Sequence, residues 1–262
     1  MSALRTTGRR REPRARRSEE NSLRRKTLRV ARLLEDYLGT PTLGVRRPAP
    51  LDMLIATILS QNTNDKNSHR AYTALRNKYP TWNTLARAPL RSIESTIRVG
   101  GMAQQKARRI KDIVRHLDQE NGGVHLSELN AMRDDEVMDY LTGFKGVGAK
   151  TAACVLLFSL GRDVFPVDTH IHRICNRLGL ASGVTLPEHT FEIMKPLVPA
   201  GQAYSLHTNL IRFGRRVCRA NRPSCEICPL YHECVYEGKT RRRPRSTVAS
   251  GTDHDFMVLD NV

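Results

Sequence analysis

The chain has 262 residues, room for two ordinary domains. Its 43 Lys and Arg against 26 acidic residues give a formal net charge of +17 and an isoelectric point near 10.2, which argues for a polyanionic partner, nucleic acid or an acidic membrane surface. No apolar run approaches the ~18 residues of a membrane span and the N-terminus lacks an apolar signal core, so no membrane insertion and an intracellular location are expected.

The first 17 residues hold seven arginines and one glutamate, and such a segment cannot bury enough apolar surface to offset the entropy of ordering. Residues 1–21 are therefore expected to form a disordered basic arm. A solvated tail, a direct DNA contact and an organelle transit peptide are the three readings open for it. Beyond it the periodicity is helical almost throughout. Leu51, Leu54, Ile55, Ile58 and Leu59 recur at the spacing of one core-facing helical stripe. Asp65 is placed to cap a second helix that runs towards Tyr79 and stops before Pro80. Further helices are predicted over 90–98, 104–120, 134–141, 149–160, 169–179, 187–197 and 202–216. Alternating strand patterns are absent, and no internal repeat of 20–50 residues is evident. The fold class is all-α. Cys154 and Cys175 lie alone within helical patterns and read as buried core thiols.

Two constellations carry chemistry. In the first, Gly146-Val147-Gly148 opens a helix and is followed by Lys150 and, 18 residues on, by Asp168 within Val167-Asp168-Thr169-His170. Glycines let backbone amides approach a phosphate, and a helix start favours an anion. Taken singly, Lys150 could be a phosphate contact and Asp168 a helix N-cap. In the second, Cys218, Cys225, Cys228 and Cys234 are spaced C-x6-C-x2-C-x5-C within 17 residues. Four thiolates so close can enclose one zinc ion or four corners of an iron–sulfur cube, and zinc sites usually show two C-x2-C pairs rather than one. Residues 237–262, with KTRRRPR at 239–245, close the chain as a second basic tail expected to be disordered.

With these motifs in order, LSQNTND at 59–65, GVGAKTA at 146–152, VDTHIHR at 167–173 and the four cysteines, the sequence resembles the helix–hairpin–helix DNA glycosylases, most closely endonuclease III. The resemblance runs from about Leu23 to Cys234. It implies two all-α domains with DNA in the cleft between them. One, over 50–165, is a six-helix barrel domain holding the helix–hairpin–helix. The other joins 22–49 to 166–236 and carries the cluster loop. The four cysteines then match the ligands of a 4Fe-4S cluster, Lys150 the nucleophilic lysine and Asp168 the essential aspartate.

The chemistry of those residue types agrees. Expelling a base from C1′ passes through an oxocarbenium-like transition state that a carboxylate stabilises. A neutral lysine amine can attack C1′ and form a Schiff base, which allows β-elimination of the 3′ phosphate. The resemblance places Lys145, Gly146, Val147 and Gly148 on the DNA backbone, and Asn62, Met102 and His170 where the family fills the gap left by a flipped nucleotide. Met102 as a helix-cap contact and His170 as a structural histidine are the plain alternatives. Relatives that only remove the base usually lack a lysine at position 150, so a bifunctional glycosylase and AP lyase is expected. It would act as a monomer in base excision repair on double-stranded DNA holding a damaged base, an oxidised pyrimidine, or an abasic site. The competing readings are a monofunctional mismatch or uracil glycosylase and a non-catalytic DNA-binding module. Phe144-Lys145-Gly146 stands where many members have Leu-Pro-Gly, and Thr142 where some have an acidic residue, departures that bear on the preferred base.

Overall fold

The computed structural model describes residues 13–42, 44, 47–120 and 122–240. Among them every regular element is helical, as the periodicity predicts, and no helix is long and apolar enough to cross a membrane.

The first helix, α1 (Pro13–Leu38), begins well inside the segment expected to be a disordered arm. Residues 13–21 are helical, and the remaining arm, 1–12, lies outside the described residues. The reason is visible in the sequence just beyond the arginines. Glu20 pairs with Arg24 one turn on at 2.9 Å, a modest local support for an exposed helix. Thr27, Val30, Ala31 and Leu34 then form a buried stripe that packs on the C-terminal helix α11 (Ala203–Arg216). The other terminal expectation shifts too. Residues 237–240 of the expected disordered tail are docked, with Lys239 Nζ donating to the Cys234 carbonyl at 2.7 Å, and 241–262 lie outside the described residues.

Helix α2 (Pro50–Ser60) starts with proline, whose fixed φ suits a first turn. Eight of its residues are buried, so it is apolar all round and sits in the core. Around it pack α3 (Asp65–Lys78), α6 (Ala103–Glu120) and α8 (Ala149–Cys154). The short helices α4 (Trp82–Arg87) and α5 (Leu90–Thr96) lie on α6, and α7 (Asp134–Thr142) lies on α8. Helix α4 escapes the periodicity because six residues are too few to show a stripe.

The helix predicted over 149–160 is α-helical only to Cys154 and continues as a π-helical turn, Val155–Ser159. Single π turns are frequent at functional sites. Helices α9 (Thr169–Leu178) and α10 (Pro187–Met194) complete the chain's order, α9 lying between α11 and α10. Asp65 does not cap α3. Asn64 does, its side chain accepting from the Asn67 amide at 2.9 Å, while Asp65 forms a two-pronged ion pair with Arg215 of α11. Arg215 draws Asp65 across to a helix 150 residues away, which local capping rules cannot anticipate.

Candidate active site

A cleft of about 510 Å³ opens where the starts of α3, α8, α9 and α10 meet the inner face of α11. Lys150 and Asp168 line it together, with Asn62, Gly148 and His170. Residues far apart in sequence are thus gathered by helix starts, which leave side chains of the first turn pointing past the end of the core.

Asp168 is the N-cap of α9. Its Oδ1 accepts from the Ile171 amide at 2.8 Å. It therefore fills the plain role that its position suggests and, half-buried, also faces the cleft. Lys150, in the first turn of α8, is likewise half-buried. One turn on lies the wholly buried Cys154 thiol, pushed up from the ordinary thiol range by its burial, with the nearby Lys150 charge opposing that shift. The i, i+4 spacing of Lys150 and Cys154 held that proximity, but a lone cysteine in an apolar stripe reads as packing. His207 likewise has no signal in the sequence. It lines the cleft at 1% exposure, its Nδ1 donating to the Pro166 carbonyl at 2.8 Å. Burial holds it down to about 4, so it is neutral near pH 7, with Nε2 left as an acceptor.

The hairpin between α7 and α8 turns at Gly146, whose φ of +85° is open to glycine at no cost. A Cβ there would also run into the Arg109 side chain. Arg109 NH1 donates to Gln61 Oε1 at 2.9 Å, and Gln61 Nε2 donates to the Gly146 carbonyl at 3.4 Å. The hairpin is therefore tied to the loop that bears Asn62. Val147 is buried beneath the turn, Lys145 and Gly148 are exposed, and a Cβ on Gly148 would meet only open space. Lys145, Gly146 and Val147 lie off the cleft wall. Lys145 borders a neighbouring hollow, where Phe144 packs edge-on against His116 and Tyr140. Phe144 thus makes a ring cluster under the turn.

Asn62 and Met102 come together. Both are exposed, both have positive φ (51° and 49°), and Asn62 Nδ2 lies 3.4 Å from Met102 Sδ. Met102 is 45% exposed, an apolar tip in solvent beside Asn62, while its carbonyl accepts from the Lys106 amide at 3.1 Å and so caps the start of α6. His170 lines the cleft and also accepts from Arg173 at 3.1 Å. It packs so closely on Gly214 that a Cβ there would stand 3.0 Å from its own.

None of the four cysteines of the C-terminal loop is in a disulfide. Cys225 and Cys228 are buried, while Cys218 and Cys234 are half-buried. Among the described residues no three His, Cys, Asp or Glu side chains converge on a single-ion site. The loop nevertheless gathers the four cysteines in one region, where Cys218, Cys225 and Cys234 each act electrostatically on the Cys228 thiol. Two arginines of α9 lock the loop in place. Arg173 donates twice to the Cys218 carbonyl, and Arg177 donates to Cys218 Sγ at 3.3 Å and to the carbonyls of Arg219 and Ala220. Burial raises the Cys218 thiol, and the Arg177 and Arg173 guanidiniums oppose that shift by favouring the thiolate form that a metal cluster needs. An all-thiol donor set, with Cys225 and Cys228 buried and Cys218 backed by two arginines, fits an iron–sulfur cluster.

Comparison with known proteins agrees with this geometry. The sequence profile of the HhH-GPD superfamily of base excision DNA repair proteins matches residues 55–200. Endonuclease III of Thermotoga maritima is 37% identical over 204 residues, 78% of this chain and 90% of that protein. A solved endonuclease III in a non-covalent complex with DNA superposes with a TM-score of 0.70 at 27% identity, over 81% of this chain and 95% of that one. An endonuclease III trapped as a covalent intermediate with DNA gives 0.68 at 29% identity, over 82% and 95%.

Proposed function

The chain belongs to the HhH-GPD superfamily of base excision DNA repair proteins and, within it, to the endonuclease III family; from that premise we propose how its residues divide the chemistry. The protein is a base excision repair DNA glycosylase with AP-lyase activity. One observation carries the assignment of roles: Lys150 and Asp168, from two different helix starts, line the same cleft.

Lys150 Nζ attacks C1′ of the flipped nucleotide as the glycosidic bond breaks and its electrons leave with the base. Asp168, already oriented by the Ile171 amide, stabilises the positive charge that develops on the sugar. Ring opening gives an imine between Lys150 and C1′. Loss of a C2′ proton then expels the 3′ phosphate by β-elimination, and water releases the lysine. Lys145 and the turn 146–148 meet the phosphate backbone, with Asn62, Met102 and His170 filling the gap in the stack.

The DNA lies between the domain of residues 50–165 and that of 22–49 with 166–236, and the enzyme acts as a monomer. Cys218, Cys225, Cys228 and Cys234 hold a 4Fe-4S cluster, which when bound cross-links the loop and adds to folding stability. The substrate is double-stranded DNA with an oxidised pyrimidine or an abasic site. A panel of duplexes, each with one lesion, tests this. Excision of thymine glycol or 5-hydroxycytosine, with strand cleavage, is expected. Base removal confined to uracil or mismatches, without cleavage, would replace it with the monofunctional reading.

A further inference from the structure

Lys106 is among the largest fully buried side chains of the described residues, 1% exposed on a helix whose other buried residues are apolar. Its Nζ donates to the Leu59 carbonyl at 2.7 Å and to the Gly100 carbonyl at 2.8 Å. Burial, with Arg109 nearby, lowers it to about 8. A lysine is seldom buried so completely without a purpose that outweighs its desolvation.

The two carbonyls belong to the ends of two elements. Leu59 lies in the last turn of α2, and Gly100 ends the 3-10 turn Arg98–Gly100. Terminal carbonyls of helices have no intrahelical partner, and one lysine here satisfies both. Three residues past Leu59 stands Asn62, and two past Gly100 stands Met102. Of the described non-glycine residues, Asn62, Met102 and Arg222 are the ones with positive φ. Backbone in that region is costly for a residue with a side chain and persists where the surroundings over-determine it. Gly100 sits close enough to its neighbours that a Cβ would stand 3.1 Å from the Ala71 Cβ on α3 and 4.0 Å from the Leu59 carbonyl, so the two loop stems pack side by side at the Lys106 bridge.

We propose that Lys106 is a positioning residue that clamps the stems of two loops from inside the core, so that Asn62 and Met102 meet DNA as one preformed wedge. This rests on the reading that the two tips enter the duplex. Ordering them before binding lowers the entropy lost when the stack opens. Lys106 touches neither substrate nor reacting atoms.

The test uses the full-length protein and a duplex with a tetrahydrofuran abasic analogue opposite 2-aminopurine, whose fluorescence reports unstacking at the gap. Four proteins form a cycle: wild type, Met102→Ala, Lys106→Met and the double variant. Each single variant should lose at least half of the fluorescence change at saturation. The double should lose no more than the larger single loss, and Kd should stay within about threefold, because phosphate contacts elsewhere carry affinity. A full wild-type signal from Lys106→Met, or losses that simply add in the double variant, would overturn the proposal. A full signal from Met102→Ala would instead sink the wedge reading itself. If Lys106→Met loses the helical circular dichroism of the wild type, Lys106→Gln replaces it, a polar side chain too short to bridge the Leu59 and Gly100 carbonyls as the lysine does. It should then show the same non-additive loss, and additive loss contradicts the clamp.

Discussion

Asp168 combines two duties in one carboxylate, capping α9 through the Ile171 amide while facing the cleft. The two can be separated by Asp168→Asn, because Asn is as good an N-cap as Asp but carries no charge. Thermal unfolding should shift by no more than a few degrees, while excision slows by ~10²-fold or more as electrostatic stabilisation is lost. Near-normal excision would reduce Asp168 to a cap. Among the side chains of the site, those with chemistry written into their type and spacing were legible in the sequence: Lys150, Asp168 and the four cysteines. His207 and Lys106 were not. A histidine or lysine among polar neighbours reads as solvated, and only the packed core shows that these two are turned inward. The positive φ at Met102 has no signature in its residue type, and Asn62 carries only the weak one that asparagine tolerates that region.

The helices themselves are legible wherever an apolar stripe exceeds two turns, as in α2, α6 and α11, because burial of one face dictates that period. The misses have local causes. Trp82–Arg87 is one and a half turns, and Pro13–Leu38 begins in a stretch whose charge balance resembles a tail although its continuation is anchored on α11. Asn64 and Asp65 are both good caps, and sequence alone does not choose between them without Arg215 in view. The C-terminal loop is the element with least regular structure of its own, two 3-10 turns strung between cysteines. Its order is therefore expected to depend on the cluster. Purified protein should be yellow-brown and contain iron and acid-labile sulfide, and Cys225→Ser should bleach it and lower the unfolding temperature, because cluster binding is coupled to folding. Colourless protein carrying one zinc after anaerobic preparation would contradict the iron–sulfur assignment.

The molecule as a whole is strongly basic, and its charge is concentrated towards its ends. Residues 1–12 carry four arginines ahead of α1. If that segment meets DNA, its deletion should flatten the dependence of log affinity on log salt by ~0.9 for every phosphate it neutralises, while lesion preference is unchanged. An unchanged slope would mark the segment as merely solvated. The net charge of +17 also predicts fast, salt-sensitive association with duplex DNA of any sequence, from which the cleft then selects the site of damage.

The assignment of Lys150 as the nucleophile is tested most directly by borohydride reduction of enzyme mixed with duplex DNA holding an abasic site, followed by denaturing electrophoresis. Only an imine is reduced to a stable bond, so wild-type protein should yield a covalent protein–DNA adduct. Lys150→Gln should yield none while still binding the duplex, because the hairpin turn at Gly146 and its ties to Gln61 and Arg109 are intact. Undiminished trapping by Lys150→Gln would place the attacking amine elsewhere in the chain and contradict the account.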